Sequence, residues 1–187
     1  NQLEVGEIVN SILHIRKWNL TFQFSLLFLW RFCMSFEKAK AYLEVKGYAS
    51  HIIIPDQCSG TVEEAANALG VQPCEIAKTI SLLVHEKVIL IVCEGNAKID
   101  NHKYKQTFHI KAKMIPFDEV ESLVGHAPGG VCPFGINEGI EVYLDESLKK
   151  FKTVYPACGN SQSAVKMSLE ELEDASNYVS WIDVCKE

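Results

Sequence analysis

The sequence predicts an α+β fold with a mixed, mostly antiparallel, barrel-like β-sheet and surrounding helices. Three observations predict it. Two apolar runs, Thr79–Val84 and Val88–Cys93, are separated only by His85-Glu86-Lys87 and read as a hairpin. Short strand-like and helix-like segments alternate irregularly, without the regular strand–helix repeat of a doubly wound parallel sheet. The segment Gly125–Gly135 holds four of the 11 glycines and two of the six prolines, so it is neither a helix nor a central strand.

Taken in order, Ser35 caps a helix to Lys46 whose apolar face is Phe36, Ala39, Leu43 and Tyr42, and Gly47 stops it. His51–Ile54 is a short β-branched strand ended by Pro55. Thr61-Val62-Glu63-Glu64 is a capping box opening a helix that ends at Gly70. Pro73 begins a short helix, Cys74 to Ala77. After the hairpin, Gly95-Asn96 turns the chain, and Asp100 caps a short helix through Lys105. Phe108–Met114 reads as a strand. Pro116–Val124 reads as a helix with acidic early residues. Ile140–Leu144, Thr153–Pro156, Ala164–Met167 and Tyr178–Val184 read as strands, and Asp145–Lys150 as a short helix. Ser168-Leu169-Glu170-Glu171 is a second capping box opening the last helix.

The chain has 187 residues, 18 basic and 24 acidic, for a formal net charge of -6. This length suffices for a full core without staples. An acidic balance argues against gripping nucleic acid by bulk charge, although a local basic patch stays open. The seven cysteines are scattered through apolar segments with no CxxC pair and no zinc-ligand spacing, which reads as free thiols in a reducing cytosol.

Residues 1–33 read as an extension outside the domain, either a cloning remnant or a mis-assigned start, because Met34-Ser35-Phe36-Glu37-Lys38 looks like a natural beginning. The apolar run from Trp18 to Phe32 falls short of the ~20 residues of a membrane span, and no small-residue cleavage site follows it. The domain is expected to span 34–187, with no membrane contact and with its oligomeric state open.

Several motifs fail. Ala77-Lys78-Thr79 lacks both glycines of a P-loop, Gly159–Ser163 lacks the second glycine of a nucleophile elbow, and no metalloprotease or EF-hand pattern is present. Neither a metal nor a cofactor is expected. Lys78 stands at the head of an otherwise apolar strand, where its ammonium either fixes a carboxylate, phosphate or carbonyl oxygen or snorkels to water. The glycines of 125–135 could form an anion-binding nest or a long structural turn. His126 and Cys132 in that loop could be base and nucleophile, or a solvent-facing histidine and an inert thiol. Asp100 could line a site or cap its helix. The small polar loop 159–164 could line a pocket or only turn the chain.

The ordered set of these segments resembles the YbaK-like, prolyl-tRNA synthetase-associated editing domain. The matching pieces are Gly60–Ala66, Ile76-Ala77-Lys78-Thr79, Gly95 and Asp100, Gly129–Gly135, Gly159-Asn160-Ser161 with Ala164-Val165, and Leu169-Glu170-Glu171-Leu172. They cover most of residues 34–187. The resemblance implies a trans-acting aminoacyl-tRNA deacylase, cytoplasmic, without metal or covalent intermediate, whose partners are the 3′ end of an aminoacyl-tRNA and an aminoacyl-tRNA synthetase. It implies proline tRNA carrying a small residue such as cysteine or alanine as substrate. Lys78, Gly129 and Gly130 take the catalytic positions. Thr79, Asp100, His126, Cys132, Pro133, Phe134, Gly159, Asn160 and Ser161 are the substrate-binding candidates. Cys132 stands where members often carry serine before the proline, which leaves the amino acid removed open. Two rival readings stay open: a non-catalytic module of the same fold that binds a tRNA end or a synthetase, and a thiol hydrolase using Cys132 and His126.

Overall fold

The structure, a computed structural model, describes residues 35–56 and 60–186. The extension expected at 1–33 lies outside the described residues.

The fold is built on the predicted hairpin. Strands β2 (Ile76–Val84) and β3 (Lys87–Glu94) pair antiparallel, and the turn residues His85 and Glu86 both take positive φ, the geometry of a tight two-residue connection. β3 is apolar from Val88 to Cys93 because both its faces are covered there. Leu90 and Val92 point into the main core, while Ile89 and Ile91 point into a second cluster with Tyr104, Ile182 and Val184. Each such side chain contributes about 1.5–3 kcal/mol by leaving water.

Four more strands complete a curled, mixed six-stranded sheet in the order β7-β5-β2-β3-β4-β8. These are β4 (Glu141–Asp145), β5 (Thr153–Pro156), β7 (Met167–Ser168) and β8 (Ser180–Ile182). β1 (Ile52–Ile53) and β6 (Ala164–Val165) form a separate antiparallel pair. Among the described strands, antiparallel pairing joins twelve positions and parallel pairing nine.

The helices are α1 (35–46), α2 (Val62–Leu69), α3 (Asn101–Phe108), α4 (Val120–Val124) and α5 (Leu169–Ser176). Both capping boxes form: Thr61 with Glu64 opens α2, and Ser168 with Glu171 opens α5. Ala39 and Leu43 of α1 and Leu172 and Ala175 of α5 fill the main core, together with Phe134 from the glycine-rich loop.

Four expected elements differ. The helix expected at 74–77 is a 3₁₀ turn, Pro73–Glu75, because Ile76 and Ala77 are drawn into parallel pairing with Tyr155 and Pro156 of β5. The strand expected at 108–114 is replaced by the end of α3 and a single bridge between Met114 and Leu82. The helix expected from Pro116 begins only at Val120, after a turn in which the Glu119 N–H donates to the Pro116 carbonyl. The strand expected at 164–167 is two pieces, since at Lys166 the chain leaves β1 for β5, and the Lys166 N–H donates to the His51 carbonyl.

Candidate active site

A cavity of about 200 Å³ opens where β2 begins, between α2 and the loops 125–135 and 157–164. Its apolar wall comes from Val62, Ala65 and Leu69, the inner face of α2, and from Ile76, Val131 and Tyr155. Its polar groups are Thr61, Lys78, Thr79, Asn160 and Ser163. An apolar cleft with few convergent polar groups is the usual form of a small-molecule site.

Lys78 is half-buried there. Its Nζ donates to the carbonyl of Gly95 at 2.8 Å and to the carbonyl of Ala97. An ammonium carries three N–H donors, so two orient the arm and one remains for a ligand. Gly95 makes the arrangement possible, because a Cβ there would overlap the Pro73 carbonyl oxygen and the Val62 side chain. The next residue, Thr79, has its Oγ1 out of water without a hydrogen-bond partner in the protein, although it lines the cavity. A hydroxyl in that state is a ready partner for a ligand.

Asn160 lines the cavity from the opposite loop. Its Oδ1 accepts from the Gln162 N–H at 2.9 Å and lies 2.7 Å from the Ser163 hydroxyl. With that oxygen engaged inside its own loop, Asn160 has its amide donors left to present. Gly129, exposed at φ +86°, also lines the cavity and stands beside Ser161.

Gly130 does something else. Its N–H donates to the Ala127 carbonyl at 3.0 Å, so that donor is committed to a turn. A Cβ on Gly130 would fall on the backbone of Asn160, so the glycine lets the two loops touch. Gly159 likewise lies against the Ser35 carbonyl, and Gly135 against that of Lys38, so both loops seat on α1.

His126 and Cys132 are fully buried and do not line the cavity. The Cys132 N–H points at His126 Nδ1 at 3.5 Å, with Cys132 Sγ 3.7 Å from the same nitrogen. Burial lowers the His126 pKa to about 4, with Lys38 nearby reinforcing it. Burial likewise pushes the Cys132 thiol far up, and Cys158 beside it adds to this. A neutral imidazole therefore braces the loop backbone while the thiol stays protonated, which is a structural pair rather than a base and nucleophile. Pro133 and Phe134 are buried beneath the loop. Asp100 accepts from the His102 and Lys103 N–H groups and caps α3, away from the cavity. Those two N–H bonds hold its carboxyl below the usual carboxylate range.

Of the sequence-derived candidates, Lys78, Thr79, Gly129 and Asn160 meet at the cavity, and Gly130, Gly159 and Ser161 support its loops. Sequence reasoning assigned no site role to Val62, Ala65 and Leu69. Their helical spacing behind the Thr61 capping box was the available signal. Tyr155 and Ser163 carried no such signal.

Comparison with known proteins adds the decisive observation: the model of the aminoacyl-tRNA editing domain family matches residues 58–175. The chain belongs to that family. It is similar to an uncharacterized protein, YwhH, of Bacillus subtilis (strain 168), 52% identical over 130 residues that cover 69% of this chain and 83% of that protein. It is also similar to the proline–tRNA ligase of Bacillus cytotoxicus, 27% identical over 112 residues, which cover 59% of this chain and only 19% of the ligase. A solved structure described as a candidate trans-editing enzyme for prolyl tRNA synthetase shares the fold, with a TM-score of 0.74 at 25% identity over 82% of this chain and 98% of that one. A hypothetical protein of solved structure matches with a TM-score of 0.72 at 28% identity, over 80% of this chain and 99% of that one. The mixed α+β fold is the one the solved trans-editing candidate has.

Proposed function

We propose that the chain is a trans-acting deacylase that hydrolyses the ester joining a small, wrongly attached amino acid to tRNA, with proline tRNA carrying alanine or cysteine as the first substrates to test. The observation that carries this reading is the cavity in which Lys78, held by two backbone carbonyls, faces a wall of small and apolar side chains. Family membership and the likeness to proline–tRNA ligases support it.

In this reading the aminoacyl end of the tRNA enters the cavity, with the rest of the terminal adenosine at its mouth. The remaining Lys78 donor binds the ester region or the adjoining phosphate by a charge-assisted hydrogen bond. The amide donors of Asn160 and the backbone at Gly129 face the developing oxyanion. Water attacks the carbonyl, and the ester bond breaks with a proton passing to the departing ribose oxygen, which frees the amino acid and leaves the tRNA with its terminal hydroxyl. No protein nucleophile is used. The buried, protonated Cys132 argues against the thiol alternative. The cavity of about 200 Å³ lies below the roughly 300–1,000 Å³ of drug-sized sites, which favours a small acyl group. The cysteines described at 74, 93, 132, 158 and 185 are all free, which supports a reducing compartment, the cytoplasm. Among the described residues no helix is long and apolar enough to cross a membrane.

The test is release of amino acid from tRNAs mischarged with alanine, cysteine, serine and 2-aminobutyrate. Rapid release of one of them, lost in Lys78→Ala, is the expected result. No release from any, with protein in excess over tRNA, would defeat the hydrolase reading and leave a binding module of the same fold.

A further inference from the structure

We propose that the surface formed by α3 and the segment after it is the docking strip for the phosphodiester backbone of the tRNA acceptor arm. The proposal rests on the reading above that the cavity receives a tRNA 3′ end, and it adds where the rest of that RNA lies.

The first observation is charge. Residues 34–187 carry 15 basic and 22 acidic side chains. Residues 101–117 carry four lysines, two histidines and no acidic side chain, so outside this stretch the domain has twice as many acidic groups as basic ones. With acidic groups in excess over the rest of the domain, this uninterrupted basic stretch is favoured for an approaching RNA. Lys105, Lys111 and Lys113 are exposed, as are His102 and His109. Lys103 is engaged by Asp183 at 2.8 Å, so it serves the fold first.

The second observation is position. The Lys113 carbonyl accepts from the Leu83 N–H, and Met114 bridges Leu82, which fixes the strip along the edge of β2. Thr79 of the same strand lines the cavity. At ~3.3 Å of rise per residue, the three or four residues between them place Lys113 and Met114, the β2 end of the strip, about 10–13 Å from the cavity. The chain that holds Lys78, at the Gly95 and Ala97 carbonyls, leads on to Asp100 and α3.

The third observation is Phe117, 78% exposed at the far end of the strip with Met114 at 59%. An exposed aromatic is a platform on which the bases of single-stranded or end-frayed nucleic acid stack.

The test compares the full chain with the triple variant Lys105→Glu, Lys111→Glu, Lys113→Glu, and with the milder triple glutamine variant in case the reversal disturbs folding; thermal melting checks both. The probe for binding is unacylated, fluorescently labelled proline tRNA over a salt series. The expected result is binding at least tenfold weaker in the glutamate variant near 0.1 M salt, with the log–log salt slope shallower by about three. The preference for full-length aminoacyl-tRNA over a 3′-aminoacylated CCA trinucleotide should fall by a similar factor. Lysine-dependent tRNA binding in a protein that releases no amino acid would uphold the strip while defeating the hydrolase reading. Variants that bind and deacylate full-length tRNA like the parent would overturn the strip. Equal lysine-dependent binding to polyglutamate would also overturn it, in favour of an acidic protein partner.

Discussion

Lys78 reaches the carbonyl of Gly95 from the neighbouring strand, 17 positions away in sequence, and the 2.8 Å bond ties the ammonium to a turn that tolerates no side chain. The lysine's aim therefore depends on a residue with no functional group of its own. Gly95→Ala must displace either Pro73 or the turn, and with it both carbonyls that hold Nζ. We expect a fall of 10²-fold or more in deacylation, since a misplacement of about 1 Å can cost that much. Lys78→Arg should fare little better, because a planar guanidinium cannot reproduce the compact ammonium between two carbonyls. Single-turnover rates for both variants, beside melting curves, check this. A Gly95→Ala protein with native rates would refute the dependence.

A second expectation concerns Gly130. Its N–H is spent on Ala127, and its missing Cβ lets the Asn160 backbone approach. Gly130→Ala should therefore act by pushing the two loops apart and moving Asn160 from the cavity. The predicted signature is a lower kcat that Asn160→Ala reproduces, with little further loss when the two changes are combined, because both remove one arrangement. Independent, multiplying effects in the double variant would show that Gly130 acts separately from Asn160.

The parts of this arrangement that sequence reading reached are those written in local chemistry. The capping boxes at Thr61 and Ser168 form because four adjacent residues satisfy one another. The hairpin was legible because two apolar runs flank a short polar gap. Phe108–Met114 misled, since Phe108, Ile110, Ala112 and Met114 alternate with polar residues as a strand would. There Phe108 instead stacks on Tyr104 at 4.7 Å within α3, and His109 ends the helix at φ +59°. Long-range facts stayed hidden. Nothing local announces that Gly130 abuts Asn160, or that the Lys78 arm ends on Gly95. The resemblance supplied Lys78 and the glycines as a set, but not that Gly130 serves packing while Gly129 meets the cavity.

The buried thiol gives a third expectation. Cys132 Sγ lies 3.7 Å from the Phe134 carbonyl and has no exposure. A serine hydroxyl at this place can donate to the same oxygen, so Cys132→Ser should keep deacylation within about threefold and lower stability by about 1–2 kcal/mol for burying a more polar group. Iodoacetamide should leave the native protein active, as the protonated and buried thiol reacts slowly. Rapid inactivation by alkylation, with loss of activity in the serine variant, would restore the thiol mechanism.

His126 sets a stability limit in acid. Its folded pKa of about 4 lies below the ordinary 6.5, so between these values the unfolded chain binds a proton that the folded chain refuses. Stability therefore rises with pH across this window and is lost as pH falls from about 6.5 toward 4. At 1.36 kcal/mol per unit, the loss from this group is on the order of 2 kcal/mol by pH 5 and flattens below pH 4. Urea midpoints at pH 7 and pH 5 measure it directly. His126→Asn, which cannot take the proton but can still accept from the Cys132 N–H, should start lower at pH 7 and lose correspondingly less by pH 5. An equal pH dependence in the two proteins would assign the acid sensitivity to other groups, and would mean that the imidazole is solvated and protonated in the folded chain rather than neutral against the loop it braces.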